Sequence, residues 1–144
     1  MTNPSDLRTR GFKFSQRSEN NLRGVNPVLV AIIRRALELS PVDFAVIEGL
    51  RTPEKQAEYV SKGSSQTHNS RHLTGDAVDI LPSAMKPGMD WNENKHLFDP
   101  ILQAIKQAAD ELGVILRFGK NWKNDPSLPG QTKFPDYPHV EIPR

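Results

Sequence analysis

The run Ser70-Arg71-His72-Leu73-Thr74-Gly75-Asp76-Ala77-Val78-Asp79-Ile80 restricts what this chain can become more than any other stretch. Its second half, Ala77-Val78-Asp79-Ile80, reads as extended, and Gly75 permits a sharp bend just ahead of it. His72 therefore belongs to a loop, and Asp79, seven positions on, to the strand that follows. An imidazole nitrogen and a carboxylate oxygen converging from a loop and a strand are two of the three protein ligands of a catalytic zinc site. The third has to come from elsewhere in the chain.

Few residues can supply it. The chain has four histidines and no cysteine, which removes thiolate metal sites, disulfides and a cysteine nucleophile together. His68 stands four residues before His72, a spacing that converges only on a helix, and the turn-rich residues around it argue against one. His96 precedes Leu97 and Phe98 at the start of a helical pattern, where a solvent-facing or capping histidine needs no special role. His139 differs. It opens a short strand within Phe134-Pro135-Asp136-Tyr137-Pro138-His139-Val140-Glu141, where two prolines stiffen the backbone and a carboxylate stands three residues ahead.

This spacing suggests a division of labour. Zinc held by His72, Asp79 and His139 keeps a fourth position for water, whose pKa the metal lowers toward ~7. Asp136 then sits beside the metal, able to take the water's proton and pass it to a leaving amine. Glu141 shares the face of His139 at strand period, and its place is either behind the site or on the surface.

The rest of the pattern predicts an α+β domain, a small, mostly antiparallel sheet with flanking helices. Residues 1–25 are polar, with Phe12 and Phe14 as apolar anchors. Asn26-Pro27 starts an amphipathic helix carrying Leu29, Ile32, Ile33, Ala36 and Leu37, which ends near Ser40-Pro41. A strand at 43–48 and a helix at 54–62 follow, then a loop at 64–69. Beyond a loop at 82–94, Leu97, Phe98, Ile101, Leu102, Ile105, Ala108, Ala109 and Leu112 form one apolar helix face. Pro100 places the helix start either at an Asp99 cap or slightly earlier. A strand at 114–118, a long loop at 119–135 and a last strand marked by Val140 and Ile142 complete the chain. Trp91 and Trp122 read as loop anchors or core residues.

At 144 residues a single domain, 1–144, is expected, long enough to bury a core without disulfides. The net charge is +2 and the basic residues are scattered, so a nucleic-acid partner is not expected. The first residues hold no apolar secretory core and no run has membrane-spanning length, so no stable membrane association is expected.

Ser70-x-His72-x-x-Gly75-x-Ala77-x-Asp79, followed downstream by Asp136-x-x-His139, resembles the paired signature of the zinc D-alanyl-D-alanine carboxypeptidase and dipeptidase family. That family includes the vancomycin-resistance peptidases and the phage L-alanyl-D-glutamate endopeptidases that act as endolysins. A third block, Gly49-Leu50-Arg51-Thr52-Pro53-Glu54-Lys55-Gln56, looks like the family's strand-end arginine and the helix with glutamine after it. The matching blocks run from about residue 47 to 141. The resemblance implies a hedgehog/DD-peptidase-like fold, zinc on His72, Asp79 and His139, and Asp136 as general base and acid. It also implies that Arg51 binds a substrate carbonyl or carboxylate, a role suited to a guanidinium at a strand end. Gln56 is carried over as substrate-binding, and Ser70 either bonds within the site or caps the turn of His72.

An aspartate in the base position resembles the phage enzymes more than the vancomycin-resistance ones. In one respect the chain departs from them. Gly119-Lys120-Asn121-Trp122 stands where they often show Gly-Gly-Asp-Trp, and an insertion at 125–131 separates it from Asp136. The expected function is that of a monomeric phage endolysin without a separate wall-binding domain, cleaving the L-alanyl-D-glutamate amide of peptidoglycan stem peptides. It would be made in the host cytoplasm and act in the periplasm after release through a pore. Removal of terminal D-alanine by a D,D-carboxypeptidase, and a non-catalytic wall-binding zinc module, are the rival readings.

Overall fold

The computed structural model describes residues 11–63, 70–130 and 134–143. The loop expected at 64–69, with His68, lies outside the described residues, as does part of the 119–135 loop. Among the described residues the helices are α1 (Gln16–Leu22), α2 (Pro27–Leu39), α3 (Pro53–Ser61) and α4 (Asp99–Glu111). The strands are β1 (Phe44–Glu48), β2 (Ala77–Pro82), β3 (Arg117–Phe118) and β4 (His139–Glu141). They form one antiparallel sheet in the order β1-β2-β4-β3, giving the expected α+β class.

The helices start where their caps dictate. Asn26 accepts the amide of Val28 ahead of Pro27, and Thr52 accepts that of Lys55 ahead of Pro53, so each proline occupies a first-turn site that needs no donor. Leu29, Ile32, Ile33, Ala36 and Leu37 of α2 meet the buried stripe of α4, Ile101, Leu102, Ile105, Ala108 and Ala109, and both close over Val46, Val78, Ile80 and Val140 of the sheet. Each fully buried Leu, Ile or Phe contributes about 1.5–3 kcal/mol of transfer free energy, so this layer is the main store of stability.

Several expectations need correction. The polar leader contains α1, a helix with Ser15 as its cap. Its purpose is lateral: Ser18 Oγ accepts the Val46 amide at 3.1 Å and Asn21 Nδ2 donates to the Val46 carbonyl at 2.9 Å. These bonds blunt the open edge of β1. The strand expected at 114–118 shrinks to Arg117–Phe118, because its partner strand β4 is three residues long and pairs with those two alone, and Ile115 is left 67% exposed. Leu112, assigned to the apolar face of the last helix, is also exposed, since it lies past the helix end. Of the two starts open to the last helix the earlier one holds: Asp99 is the first residue of α4, and a 3-10 turn, Lys95–Leu97, leads into it. The final strand is His139–Glu141; Ile142 lies beyond it and donates its amide to the Asp76 carbonyl at 2.8 Å.

Candidate active site

His72 is presented by a single 3-10 turn, Arg71–Thr74. Ser70 caps it by accepting the His72 amide at 3.2 Å, which is the turn-capping role open to it. Gly75 ends it at φ +77°, a left-handed conformation, and a Cβ there would meet the Gly24 carbonyl oxygen at 2.4 Å. The Gly75 carbonyl in turn accepts the Asn26 amide at 2.7 Å. Asp76 locks the exit: its carboxylate accepts from Thr74 Oγ1 at 2.7 Å and Asn26 Nδ2 at 3.0 Å, and lies 3.0 Å from Arg71 Nη2. The chain then enters β2, and Asp79 pairs directly across the sheet with His139 of β4.

The structure brings His72, Asp79 and His139 together, with one donor atom from each lying within 4.8 Å of the other two. Asp79 Oδ1 is 3.1 Å from His72 Nε2 and 3.4 Å from His139 Nδ1. The outer nitrogens are already committed. His72 Nδ1–H donates to the Gly49 carbonyl at 2.8 Å, and His139 Nε2–H donates to Glu141 Oε1 at 2.7 Å. The two inner nitrogens and the Asp79 oxygen are therefore all acceptors facing one another, and such a set calls for a positive charge in its midst. A proton answers that need in part. Burial pushes the His139 pKa down, but its bonds to Asp79 and Glu141 more than reverse this, leaving it raised to about 9. Burial works to raise Asp79, yet the two imidazoles hold it well below the usual carboxylate range. A metal cation answers the need fully, and two imidazoles with one carboxylate suit one.

Asp136 is half-buried beside this set. Loss of hydration, then the neighbouring Asp79 charge, raise its pKa to about 6 against the lowering effect of His139, His72 and Arg51. Its backbone is pinned on both sides: the amide donates to the Gly119 carbonyl at 2.8 Å, and the carbonyl accepts from the His139 amide at 3.1 Å. Only glycine fits at 119, because a Cβ would stand 2.2 Å from the Asp136 carbonyl oxygen and 2.8 Å from His139 Cβ.

Arg51 reaches the same place from the end of β1. It is 9% exposed, its amide donates to the His72 carbonyl at 3.0 Å, and Nη2 lies 3.7 Å from Asp79 Oδ2. Glu48 receives both its Nε and Nη2 sides, Gln56 Oε1 accepts from Nη1 at 2.6 Å, and the Tyr59 ring lies 4.6 Å beneath it. Tyr59 in turn donates to Glu48 Oε2 at 2.9 Å. Gln56 is thus buried against Arg51, its placement here being that of a support. Glu48, Tyr59 and the Gly49 carbonyl are parts of the site that sequence reasoning missed. Glu48 and Tyr59 had a faint signal, standing before and after the Arg51 block; a backbone carbonyl has none. Trp122 stacks obliquely on His139 at 5.3 Å, whereas Trp91 packs on Phe98 and Tyr137, and His96 is an exposed residue of the lead-in turn.

Comparison with known proteins agrees with this arrangement. A model of the family described as phage L-alanyl-D-glutamate peptidase matches residues 10–142. The L-alanyl-D-glutamate peptidase of Escherichia phage T5 is 39% identical over 136 residues, covering 91% of this chain and 98% of that protein. That of Listeria phage A118 is 33% identical over 81 residues, 54% of this chain and 28% of its own length. The crystal structure of the Serratia marcescens L-Ala D-Glu endopeptidase ChiX superposes with a TM-score of 0.74 at 40% identity, covering 95% of each chain. With the match spanning nearly all of both the site and the fold, this chain belongs to the phage L-alanyl-D-glutamate peptidase family.

Proposed function

We propose that this peptidase is a zinc-dependent peptidoglycan hydrolase that cleaves the L-alanyl-D-glutamate amide of murein stem peptides. The observation that carries this reading is the convergence of His72, Asp79 and His139 as acceptors around one point, with Asp136 alongside, in a member of this family. Zinc bound by those three residues would polarise the scissile carbonyl and make a water nucleophilic near neutral pH. Asp79 and the two imidazoles supply the ligand atoms without rearrangement, since their outer nitrogens are already held. The Asp136 carboxylate accepts the proton of the attacking water and delivers it to the leaving amine nitrogen. Arg51 offers its guanidinium to a substrate carbonyl or carboxylate, held in place by Glu48 and Gln56. Ser70 bears on substrate through the turn it caps, and Gln56 through the arginine it supports.

The same reading makes the protein a monomeric endolysin, synthesised in the host cytoplasm and acting in the periplasm after pore-mediated release. No helix among the described residues is long and apolar enough to cross a membrane. The test is mass spectrometry of muropeptides after incubation of murein with the zinc-loaded protein. Release of the stem below L-alanine is expected. Loss of a single terminal D-alanine would establish a D,D-carboxypeptidase instead, and binding to murein that stays intact would establish a non-catalytic module.

A further inference from the structure

Glu141 is a buried carboxylate within reach of the metal-ligand set, and the chemistry above does not use it. The residue is 6% exposed, on β4 two residues beyond His139 and opposite Ala77 of β2. Taking a carboxylate out of water costs several kcal/mol unless partners restore what hydration gave it. Two do so here. Oε1 accepts His139 Nε2–H at 2.7 Å, and Oε2 lies 3.8 Å from Arg117 Nη1, whose guanidinium stacks over Trp122 at 5.0 Å.

This arrangement sets which nitrogen of His139 faces the site. An ionised carboxylate has no hydrogen to give, so the nitrogen against Glu141 must be the protonated one, and Nδ1 is left to face Asp79. His72 solves the same problem with the other nitrogen: its Nδ1–H rests on a neutral carbonyl, that of Gly49, and Nε2 faces the site. The two histidines therefore present opposite ring nitrogens, one backed by a dipole and one by a full negative charge. A charged acceptor makes the stronger hydrogen bond and the more basic imidazole. The ring itself is confined between the His72 ring at 5.0 Å and Trp122 at 5.3 Å, so the hydrogen bond selects its orientation within a slot already formed.

We infer that Glu141 is a positioning residue of the metal centre: it holds His139 with Nε2 protonated and Nδ1 toward the ion, and raises that nitrogen's donor strength. The inference rests on the metal-dependent reading of this site. It has a direct test in zinc affinity, measured by competition with a chromophoric chelator on the full chain, for wild type and for E141Q, E141M and E141D. E141M keeps the volume but removes the acceptor, and should bind zinc about 10- to 100-fold more weakly. E141Q keeps an oxygen acceptor in place but loses the charge, so its affinity should fall between those of wild type and E141M. E141D keeps the buried charge but withdraws the acceptor by one methylene, so it should fall with E141M, and it carries the test should E141M fail to fold. In the zinc-loaded wild type the His139 Nε2–H proton should appear as a downfield, slowly exchanging NMR resonance, preserved in E141Q and lost in E141D. Wild-type affinity in E141M or E141D, or a loss in E141Q equal to theirs, overturns the role of Glu141. Absence of zinc binding by the wild type overturns it together with the metal-dependent function.

Discussion

Glu48 lies opposite Asp79 across β1 and β2, although Val46 is paired with Ile80 and a regular ladder would bring Ile47 to that position. A bulge supplies the extra residue. Its effect is to replace an apolar side chain beside Asp79 with a carboxylate, and that carboxylate gathers Arg51 and Tyr59.

Removing this carboxylate should be expensive. In Glu48→Ala the buried Arg51 guanidinium loses the carboxylate that meets two of its nitrogens and is left with the Asp79 carboxylate at 3.7 Å. The loss should approach the roughly 3–5 kcal/mol of a broken buried pair, whereas Tyr59→Phe removes a single hydrogen bond and should cost about 1 kcal/mol. Urea unfolding of both variants measures the difference. Equal midpoints for Glu48→Ala and wild type would show that the bulge has no energetic purpose.

Metal retention and turnover should separate by residue. Asp136→Asn is expected to keep its zinc while losing activity on murein by about 100-fold or more, the range typical of a lost general base. His72→Ala and His139→Ala should emerge from dialysis without metal. Chelation of the wild type should abolish activity, with recovery on adding zinc back. A histidine variant that still carries stoichiometric zinc would refute the ligand assignment.

Acid should loosen the His72 turn through Asp76. The hydrogen bond from Thr74, then that from Asn26, hold the Asp76 carboxyl below its ordinary pKa against the opposing effect of burial, with Arg71 adding a smaller pull. A folded-state pKa lower than the unfolded one means stabilisation that is complete above the ordinary aspartate value of about 3.9. It is lost as pH falls through the depressed folded value. Unfolding midpoints of wild type and Asp76→Asn, followed from neutral pH downward, should differ at neutrality and converge in acid. A gap that stays constant to the lowest pH would count against this account.

Gly119→Ala should harm catalysis more than folding. The added methyl would overlap the Asp136 carbonyl and crowd His139, so relief requires the base or the ligand to move. Overpacking of this kind costs about 1–3 kcal/mol of stability. Turnover should fall well beyond what the thermal melt accounts for, and a variant that melts early yet works normally would contradict the prediction.

How much of this was legible in the sequence depended on whether the information was local. The turn of His72 and the strand of Asp79 are written in one stretch, with a cap, a left-handed glycine and alternating residues, so both could be read directly. The proline-flanked His139 was legible for the same reason. Helix α1 was not, because its value lies in polar side chains bonded to the edge of β1, which periodicity does not register. The 114–118 strand was overread since apolar residues there lack a partner strand, and pairing is a property of the whole sheet. The bulge at Ile47 and the carbonyl of Gly49 depend on how distant segments meet, so residue types alone could not announce them.

The sheet order has one more consequence, for synthesis. β4 follows every other described element in the chain, yet it belongs between β2 and β3, and among the described strands β3 pairs with β4 alone. A ribosome that has made β2 and β3 has not yet made His139, the residue that β4 sets opposite Asp79. The nascent chain can collapse α2 and α4 onto β1 and β2 while its ligand set remains incomplete. Competence to cut therefore arrives with the insertion of one three-residue strand, after every other described element has been translated.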